Sequence, residues 1–481
     1  MSELALPEEW LNLTWEEITI EKTGFKRGPF GGSLKKEYFV ESGYAVYEQY
    51  APINDDCTKF RYYVDEEKYQ EMSSFSVEPD DFLISCSGTM GKITKVPEGA
   101  PAGIINQALL RIRLNKELVD SFYFLHLFRS PDVQERILKK SAGGAIQNLA
   151  AVKELKKTLL PIPAIAEQKE IVKYLDSHLT IVYQIQARLD TIPKLIETFR
   201  QSVLNDAFSG KLTEEWRTTN KYEIEDKNLL KESEKYWSIP KQWGWSRLGE
   251  HVKLVNGDRG KNYPNKSEYV DEGIPFINAG HINALGFLDS KKLNYISEEK
   301  YNSLGSGKIL ENDLLYCLRG TTGKTARVYP YTKGAIASSL VIVRPENSVL
   351  SDYVYYFLIS PQGRFLINKF DNGTAQPNLS AKSLSLFSFP LPSEKEQKVI
   401  VENITKLFAH ADQIEKSVAI AKARVDNLTQ SILHQAFTGQ LTKEWREQNP
   451  ELISGDNSAE ALLAKIEADK KASGKKGKAK K

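Results

Sequence analysis

Residues 201–217, QSVLNDAFSGKLTEEWR, return as QSILHQAFTGQLTKEWR at 430–446, with 11 of the 17 positions identical and no gap. The same offset of 229 relates PIPAIAEQKEIV (161–172) to PLPSEKEQKVIV (390–401). Fainter echoes precede each copy. LPEEW (6–10) resembles IPKQW (239–243), and GTMGK (88–92) resembles GTTGK (320–324). SFYFLHLFRSP (121–131) parallels SDYVYYFLISP (351–361), and Asn148-Leu149 parallels Asn378-Leu379. Self-similarity on this scale means that one folding unit is used twice. The order is A, B, A′, B′, a divergent module followed by a well-matched segment, repeated.

The A modules alternate short β-type runs (DFLISCS, ALLRIRL, SSLVIVRP) with glycine-rich turns and a little helix, which reads as α+β. The B segments read as long amphipathic helices. Ile171, Leu175, His178, Val182, Ile185, Leu189, Ile192, Ile196, Phe199 and Val203 alternate steps of four and three. Adding 229 gives Ile400, Ile404, Leu407, Ala411, Ile414, Val418, Ala421, Val425, Leu428 and Ile432. Such a stripe predicts a coiled-coil seam. Two arrangements fit it: each stripe packs on its own A module, or the two helices pair antiparallel about a pseudo-two-fold axis, the reading favoured by the repeat. A helix of about 35 residues would be roughly 50 Å long, a ruler on the scale of the 34–36 Å or so between DNA half-sites one turn apart. Pro193 is expected to kink or interrupt the first copy. Gly210 and Gly439 are expected to end the helices as C-caps.

The expected division is therefore 1–155 for the first module, 156–220 for a central helical spacer, 221–385 for the second module with a linker at 221–238, and 386–450 for a second spacer. A Lys-rich tail, 451–481, is expected to be disordered. Eight lysines against Glu467 and Asp469 lie in 464–481, a local charge of +6 within a net +2, so the remainder sums to −4 and any basic footprint is local. Three cysteines without a CxxC pair suit a reducing cytoplasm. No signal-peptide pattern opens the chain, and no apolar run approaches the roughly 20 residues that span a bilayer.

Catalytic patterns are missing or broken. GTTGK-Thr325 resembles the end of a phosphate loop, but Leu318 stands where the first glycine belongs and Ile93 follows Lys92 in the other copy. Gly88, Gly91, Gly320 and Gly323 read instead as turn positions needing unusual dihedrals. No N-P-P-[FY] or D-P-P-Y run for base-amine methylation is present. The loose match Asp132, Glu154, Lys156 to a nuclease pattern has no counterpart in the second copy.

What remains suits nucleic acid. Lys26, Arg27, Gly31, Gly32, Ser33 and Lys35 form a basic, glycine-containing loop, and Arg259, Lys261 and Asn262 stand near the matching position. Lys92, Lys324 and Arg319 flank the turns. Asn106, Gln107, Gln147, Asn278, His281 and Gln376 carry the groups that read base edges, although each such residue also serves turns and caps; Asn148 and Asn378, lying before the helices, read as caps or architectural residues.

The A-B-A′-B′ plan with PIPxxxEQ, the heptad stripe, QAF(T/S)G(Q/K)LTxxWR and EQNPELISGDNSAEALLAKI (447–466) resembles the specificity subunit of type I restriction–modification enzymes, most like the type IA subgroup. The resemblance implies two target recognition domains separated by two long helices in an antiparallel coiled coil, and no catalytic site in this chain. It implies a bacterial cytoplasmic protein that binds double-stranded DNA, two methyltransferase subunits and two motor–nuclease subunits, which use S-adenosylmethionine, ATP and magnesium. On that reading Leu175, Val182, Leu189, Ile196, Leu407, Ile414, Val418 and Leu428 form the seam. Phe208, Leu212, Trp216, Phe437, Leu441 and Trp445 are candidates for the docking surface or for core. A stand-alone DNA-modifying enzyme, or a coiled-coil scaffold whose modules bind protein, are the rival readings.

Overall fold

The computed structural model describes residues 6–21, 23–29, 33–139, 155–220, 230–283, 285–346, 349–371 and 378–478. The chain divides into two compact units, Met1–Leu189 with Ile420–Lys481, and Asp190–Ala419.

In the first unit an antiparallel ribbon pairs β1 (Leu11–Thr14) with β10 (Leu159–Ile162). One four-stranded sheet has the order β2 (Phe25–Arg27), β9 (Leu109–Ile112), β6 (Phe82–Ser85), β7 (Ile93–Lys95). The other runs β4 (Tyr63–Val64), β3 (Tyr44–Tyr47), β8 (Gly103–Ile105), β5 (Ser76–Val77), with β3 and β8 parallel. All four residues of β6 and of β9 are buried, as continuous apolar strands require. Buried Asp81 holds Arg113 through two bonds, of 2.6 and 2.8 Å. Helices α1 (Ser121–Arg129), capped by Asp120, and α2 (Pro131–Lys139) follow.

The second unit repeats this. Its ribbon pairs β11 (Gly244–Arg247) with β20 (Ser388–Leu391). Its first sheet, β12 (Val252–Asn256), β19 (Leu340–Pro345), β16 (Leu314–Cys317), β17 (Thr325–Arg327), has the same order as in the first unit. Its second sheet, β13 (Tyr269–Val270), β15 (Asn294–Ile296), β14 (Ile274–Ile277), β18 (Ala335–Ile336), keeps the parallel pair but adds a strand on the opposite edge. Asp313 clasps Arg344 at 2.8 and 2.7 Å, as Asp81 clasps Arg113. Helices α4 (Ser351–Ile359) and α5 (Pro361–Phe370) complete the module.

The two long helices, α3 (Ile165–Phe208) and α6 (Glu394–Phe437), have 44 residues each. In the first unit Gln186 donates to Asp426 at 3.1 Å. In the second, Arg200 bonds Asp412 at 2.6 Å and Glu415 at 3.2 Å. Fourteen residues forward on α3 correspond to fourteen backward on α6, so the helices pair antiparallel. The predicted seam is half right. Leu175, Val182, Leu189, Ile196 and Val203, with Ile404, Ala411, Val418, Val425 and Ile432, are all buried or half-buried. The other predicted column is mixed: Ile171 and Ile400 at the helix starts are buried, Ile192, Leu407 and Ala421 are half-buried, and His178, Ile185, Phe199, Ile414 and Leu428 are exposed. Its place is taken one residue later by Leu179, Gln186, Arg200 and Ala207, facing a mixed set that includes Glu415 and Ala436. Over these positions α3 is thus turned by about 50° from the expected face, at 100° per residue, and the interhelix pairs of Gln186 and Arg200 lie on the face so presented.

Pro193 does not interrupt α3. One missing N–H leaves the Leu189 carbonyl without its helical partner, and the chain stays helical between the interhelix pairs made by Gln186 and Arg200. Past the helix ends, Gly210 and Gly439 take positive φ of 82° and 75°. A Cβ on either would collide with a proline ring, Pro240 or Pro7 respectively.

The repeated motifs converge on two buried carboxylates. Glu167 of PIPAIAEQ accepts from Trp10 Nε1 at 2.9 Å and Thr442 Oγ1 at 2.7 Å, and pairs with Arg446. Glu396 of PLPSEKEQ accepts from Trp243 Nε1 at 2.9 Å, Thr213 Oγ1 at 2.6 Å and Arg217 at 2.6 Å. Each B segment's closing LTxxWR therefore locks onto the opening of the other B segment. The neighbouring glutamines pin the helix starts to the modules: Gln168 accepts from Asp120 N at 2.7 Å, and Gln397 from Leu350 N at 3.0 Å.

The tail also departs from expectation. Helix α7 (Ala459–Lys478) covers most of the segment predicted to be disordered. Ile453, Ala459 and Ile466 are buried, and Leu462 and Leu463 pack on the first unit's core. An apolar stripe spaced three and four apart outweighs the lysines around it.

Candidate nucleic-acid interface

The twin turns join β6 to β7 and β16 to β17. Gly88 and Gly91 have φ of 63° and 70°, Gly320 and Gly323 of 82° and 86°. Gly91 N donates to Ser85 O at 3.0 Å, and Gly323 N to Cys317 O at 2.9 Å. Each is a tight turn whose left-handed positions favour glycine.

Strand register equates positions across the modules without reference to similarity. Arg27 pairs with Leu110, which pairs with Ile84; Asn256 pairs with Val341, which pairs with Tyr316. Arg27 and Asn256 are therefore equivalent, and by the next steps Ser87 matches Arg319. Asn106 N bonds Tyr47 O where Ala337 N bonds Ile277 O, so Asn106 matches Ala337. The scaffold is common and the groups at its rim differ.

In the second module a cavity of about 320 Å³ opens between the end of β12, the turn after β16 and the segment at 378–382; Asn256, Arg259, Arg319, Asn378 and Lys382 line it. Its floor is Leu318 and Leu379, both buried, with Leu379 N bonded to Leu318 O at 3.0 Å. Arg319 and Asn378 form a β-bridge above it. Of the two roles expected of Asn378, cap or architectural residue, the bridge fits the second, and Ser380 caps the short helix that follows, accepting from Ser383 N.

Of the predicted DNA contacts, Lys92, Gln107, Arg259, Lys261 and Arg319 are exposed and Asn262 half-buried. Among the described ones Arg259 and Arg319 come together at this cavity. Lys26 lies over the Phe75 ring at 4.4 Å. Arg27 sits beside Cys86, whose thiol burial pushes up to about 11 against the guanidinium's pull. Lys35 pairs with Glu37 at 3.5 Å, and Ser33 is exposed. Lys324 reaches the Ala279 carbonyl at 3.4 Å.

Three expected base readers are corrected. Asn106 is buried, its side-chain oxygen accepting from Ala108 N at 3.0 Å and its amide facing Glu48 at 3.4 Å. Asn278 accepts from Gly280 N at 2.8 Å and meets His281 at 3.1 Å, and His281 is itself buried. Their polar groups close turns of their own backbone. Gly31, Gly32, Gln147 and Gln376, with Asn148 and Glu154, lie outside the described residues. The motif aromatics, open to a docking or a core role, divide between the two. Phe208 is buried against Tyr353 and Phe357, with ring centroids 5.2 and 5.5 Å away, and Phe437 is buried against Tyr123 at 5.6 Å, so both are core. Leu212, Trp216, Leu441 and Trp445 are half-buried.

Asn256 and Lys382 were not singled out from sequence. Lys382 stands three residues past the repeated Asn-Leu, the one signal that could have marked it. Among the described residues no group of three or more His, Cys, Asp or Glu could hold a metal ion, and no helix is long and apolar enough to cross a membrane.

The profile of the family described as "Type I restriction modification DNA specificity domain" matches residues 31–193 and 240–421, once per module. The chain is 34% identical over 403 residues to the type I restriction enzyme EcoBI specificity subunit of Escherichia coli, covering 83% of this chain and 81% of that one. It is 33% identical to the EcoKI specificity subunit of Escherichia coli K12, covering 83% of each. The crystal structure of the HsdS subunit from Thermoanaerobacter tengcongensis has the same fold, with a TM-score of 0.57 at 19% identity over 91% of this chain and 99% of that one. A second structure, described under the complex assembly and conformational transition of a type I restriction–modification system, reaches a TM-score of 0.66 at 20% identity, again over 91% and 99%. The duplicated module, the antiparallel helix pair and these matches agree: this chain belongs to the type I restriction–modification specificity subunits, the noncatalytic DNA-recognising component of those enzymes.

Proposed function

We propose that each module reads one half of a split DNA target and that the paired helices set the number of unread base pairs between the halves. One observation carries this reading: the two modules share the order and register of their first sheet, yet differ at the rim, with Arg27 against Asn256 and Ser87 against Arg319. A common scaffold with different groups at equivalent rim positions is what two different half-sites demand.

The helices also offer docking surface. In the first unit Ile181, Tyr183, Ile185, Ile420 and Leu428 are large apolar residues left exposed, and in the second Leu195, Phe199 and Ile414. Such strips on a soluble chain mark protein contacts. Two methyltransferase subunits cover them on this reading and bring S-adenosylmethionine to adenine N6. Two motor–nuclease subunits with ATP and magnesium complete the restriction enzyme.

Coexpression with the methyltransferase subunit of its own system, followed by base-resolution mapping of modified adenines, returns both half-sites and the gap. Exchanging residues 1–150 for a relative's first module changes one half-site only; a change in both halves refutes the one-module, one-half-site scheme. Lengthening the first spacer by one helical turn alters the gap, and an unaltered gap refutes the ruler.

A further inference from the structure

We propose that the Arg259–Arg319–Lys382 cavity of the second module is a phosphate seat, which takes a backbone phosphodiester of that module's half-site and sets its register without reading a base. The inference rests on the DNA-reading function proposed above and assigns one site a chemical class within it.

Three cations from three separate segments converge there: the loop after β12, the turn after β16, and the residues following the Asn378 bridge. None of the three has an ion pair among the described residues. Asp258 and Asp371 of the surrounding loops accept from backbone amides rather than from these three side chains. Asp258 accepts from Arg259 N and Gly305 N, both at 2.7 Å, and Asp371 from Asn378 N at 2.9 Å. The result is concentrated positive charge above a rigid apolar floor, with the Asn256 and Asn378 side chains as neutral donors. A guanine edge offers two acceptors, O6 and N7, enough for one arginine but not for three converging cations. An oxyanion with several acceptor oxygens can satisfy all of them. The concave shape points the same way, since a base reader must project into a groove whereas a phosphate comes to the protein surface.

The test uses the full chain in complex with its methyltransferase subunits, and the target duplex found by modification mapping. Binding of that duplex and of one mismatched in the second half-site is measured across salt concentrations for wild type, Arg259→Ala, Arg319→Ala, Lys382→Ala and Arg319→Lys. Each phosphate contact contributes about 0.9 to the log–log salt slope, so each alanine variant should bind about eightfold more weakly at 0.1 M salt with a correspondingly shallower slope. Target and mismatched duplexes should weaken alike, the methylated sequence should stay the same, and Arg319→Lys should restore the slope. An unchanged slope overturns the inference, as does relaxed specificity at one base pair, which would make the site a base reader. Alanine variants that lose inorganic phosphate binding while keeping the duplex slope also overturn it, by making the seat one for a free anion. Failure of wild type to discriminate the two duplexes refutes the DNA-reading function itself, a separate result.

Discussion

Thr442 donates its hydroxyl to the buried carboxylate of Glu167 at 2.7 Å across 275 residues of sequence, and Thr213 does the same to Glu396 at 2.6 Å. Each carboxylate also takes a tryptophan N–H and an arginine, so its lone pairs are filled and its charge is compensated in place. Removing one partner of such a pair strands the other: Glu167→Gln leaves Arg446, 12% exposed, without a counter-charge. The substitution should cost about 3–5 kcal/mol, and hydrogen exchange should place the loss in the first unit. Glu396→Gln should mirror it in the second. Uniform loss of protection from either variant would contradict the assignment of one latch to each unit.

Helix α7 gives two truncations with opposite outcomes. Ending the chain after Asp469 removes seven lysines and no described buried side chain, so thermal stability should stay within about 0.5 kcal/mol of wild type. Ending it after Ser458 removes Ala459 and Ile466, both buried, and Leu462 and Leu463 from the first unit's core. A loss of several kcal/mol is expected by the cost of emptying core positions, about 2–5 kcal/mol for a single large aliphatic. Equal melting temperatures for the two truncations would contradict the packing described for α7.

Buried His281 and half-buried His126 should make the chain acid-sensitive. Burial holds the pKa of His281 below its ordinary 6.5, opposed by Asp289. Burial does the same for His126, opposed first by its bond to Asp176, with Arg129 adding to the depression and Asp120 opposing it. The unfolded chain therefore binds protons near pH 6.5 that the folded chain resists, and stability falls as pH drops from about 6.5 through the lower folded values. Melting temperature should decline between pH 7.5 and 5.5, less steeply in His281→Gln and His126→Gln. An identical pH profile in both variants would exclude these groups as the source.

Duplication, α+β modules, long helices and left-handed glycines in the twin turns were all legible, because each leaves a local or periodic mark in sequence. Partners across the fold leave none. Glu167 and Arg446 sit in recognisable motifs, but nothing in either motif says that LTxxWR of one copy closes on the EQ of the other. Asn106 and His281 carry the same donors and acceptors whether they face bases or their own backbone, so composition could not separate the roles. The exposed part of the predicted seam has a related reason. Ile185 beside Gln186, and Phe199 beside Arg200, offer two faces one residue apart, and the partners at Asp426, Asp412 and Glu415 lie too far along the chain to be read from either helix alone.

That choice of face separates two kinds of apolar residue on the same helices. Leu175 and Ile404 are fully buried, so alanine at either should cost about 2–5 kcal/mol in the free chain. Phe199, Ile414 and Leu428 are 41%, 51% and 49% exposed. Replacing any one of them by serine should change the free chain's stability by less than about 0.5 kcal/mol. If the exposed strip is where a methyltransferase subunit rests, the same serine variants should lose that subunit on co-purification and raise its dissociation constant about tenfold or more, since truncating a central apolar anchor commonly costs 2 kcal/mol or so. Polar Gln186→Ala serves as the opposite control, because its bond to Asp426 lies within the helix pair: it should loosen the pair and leave docking nearly intact. Serine variants that melt early but still bind the partner would return these residues to the seam and undo the rotated register.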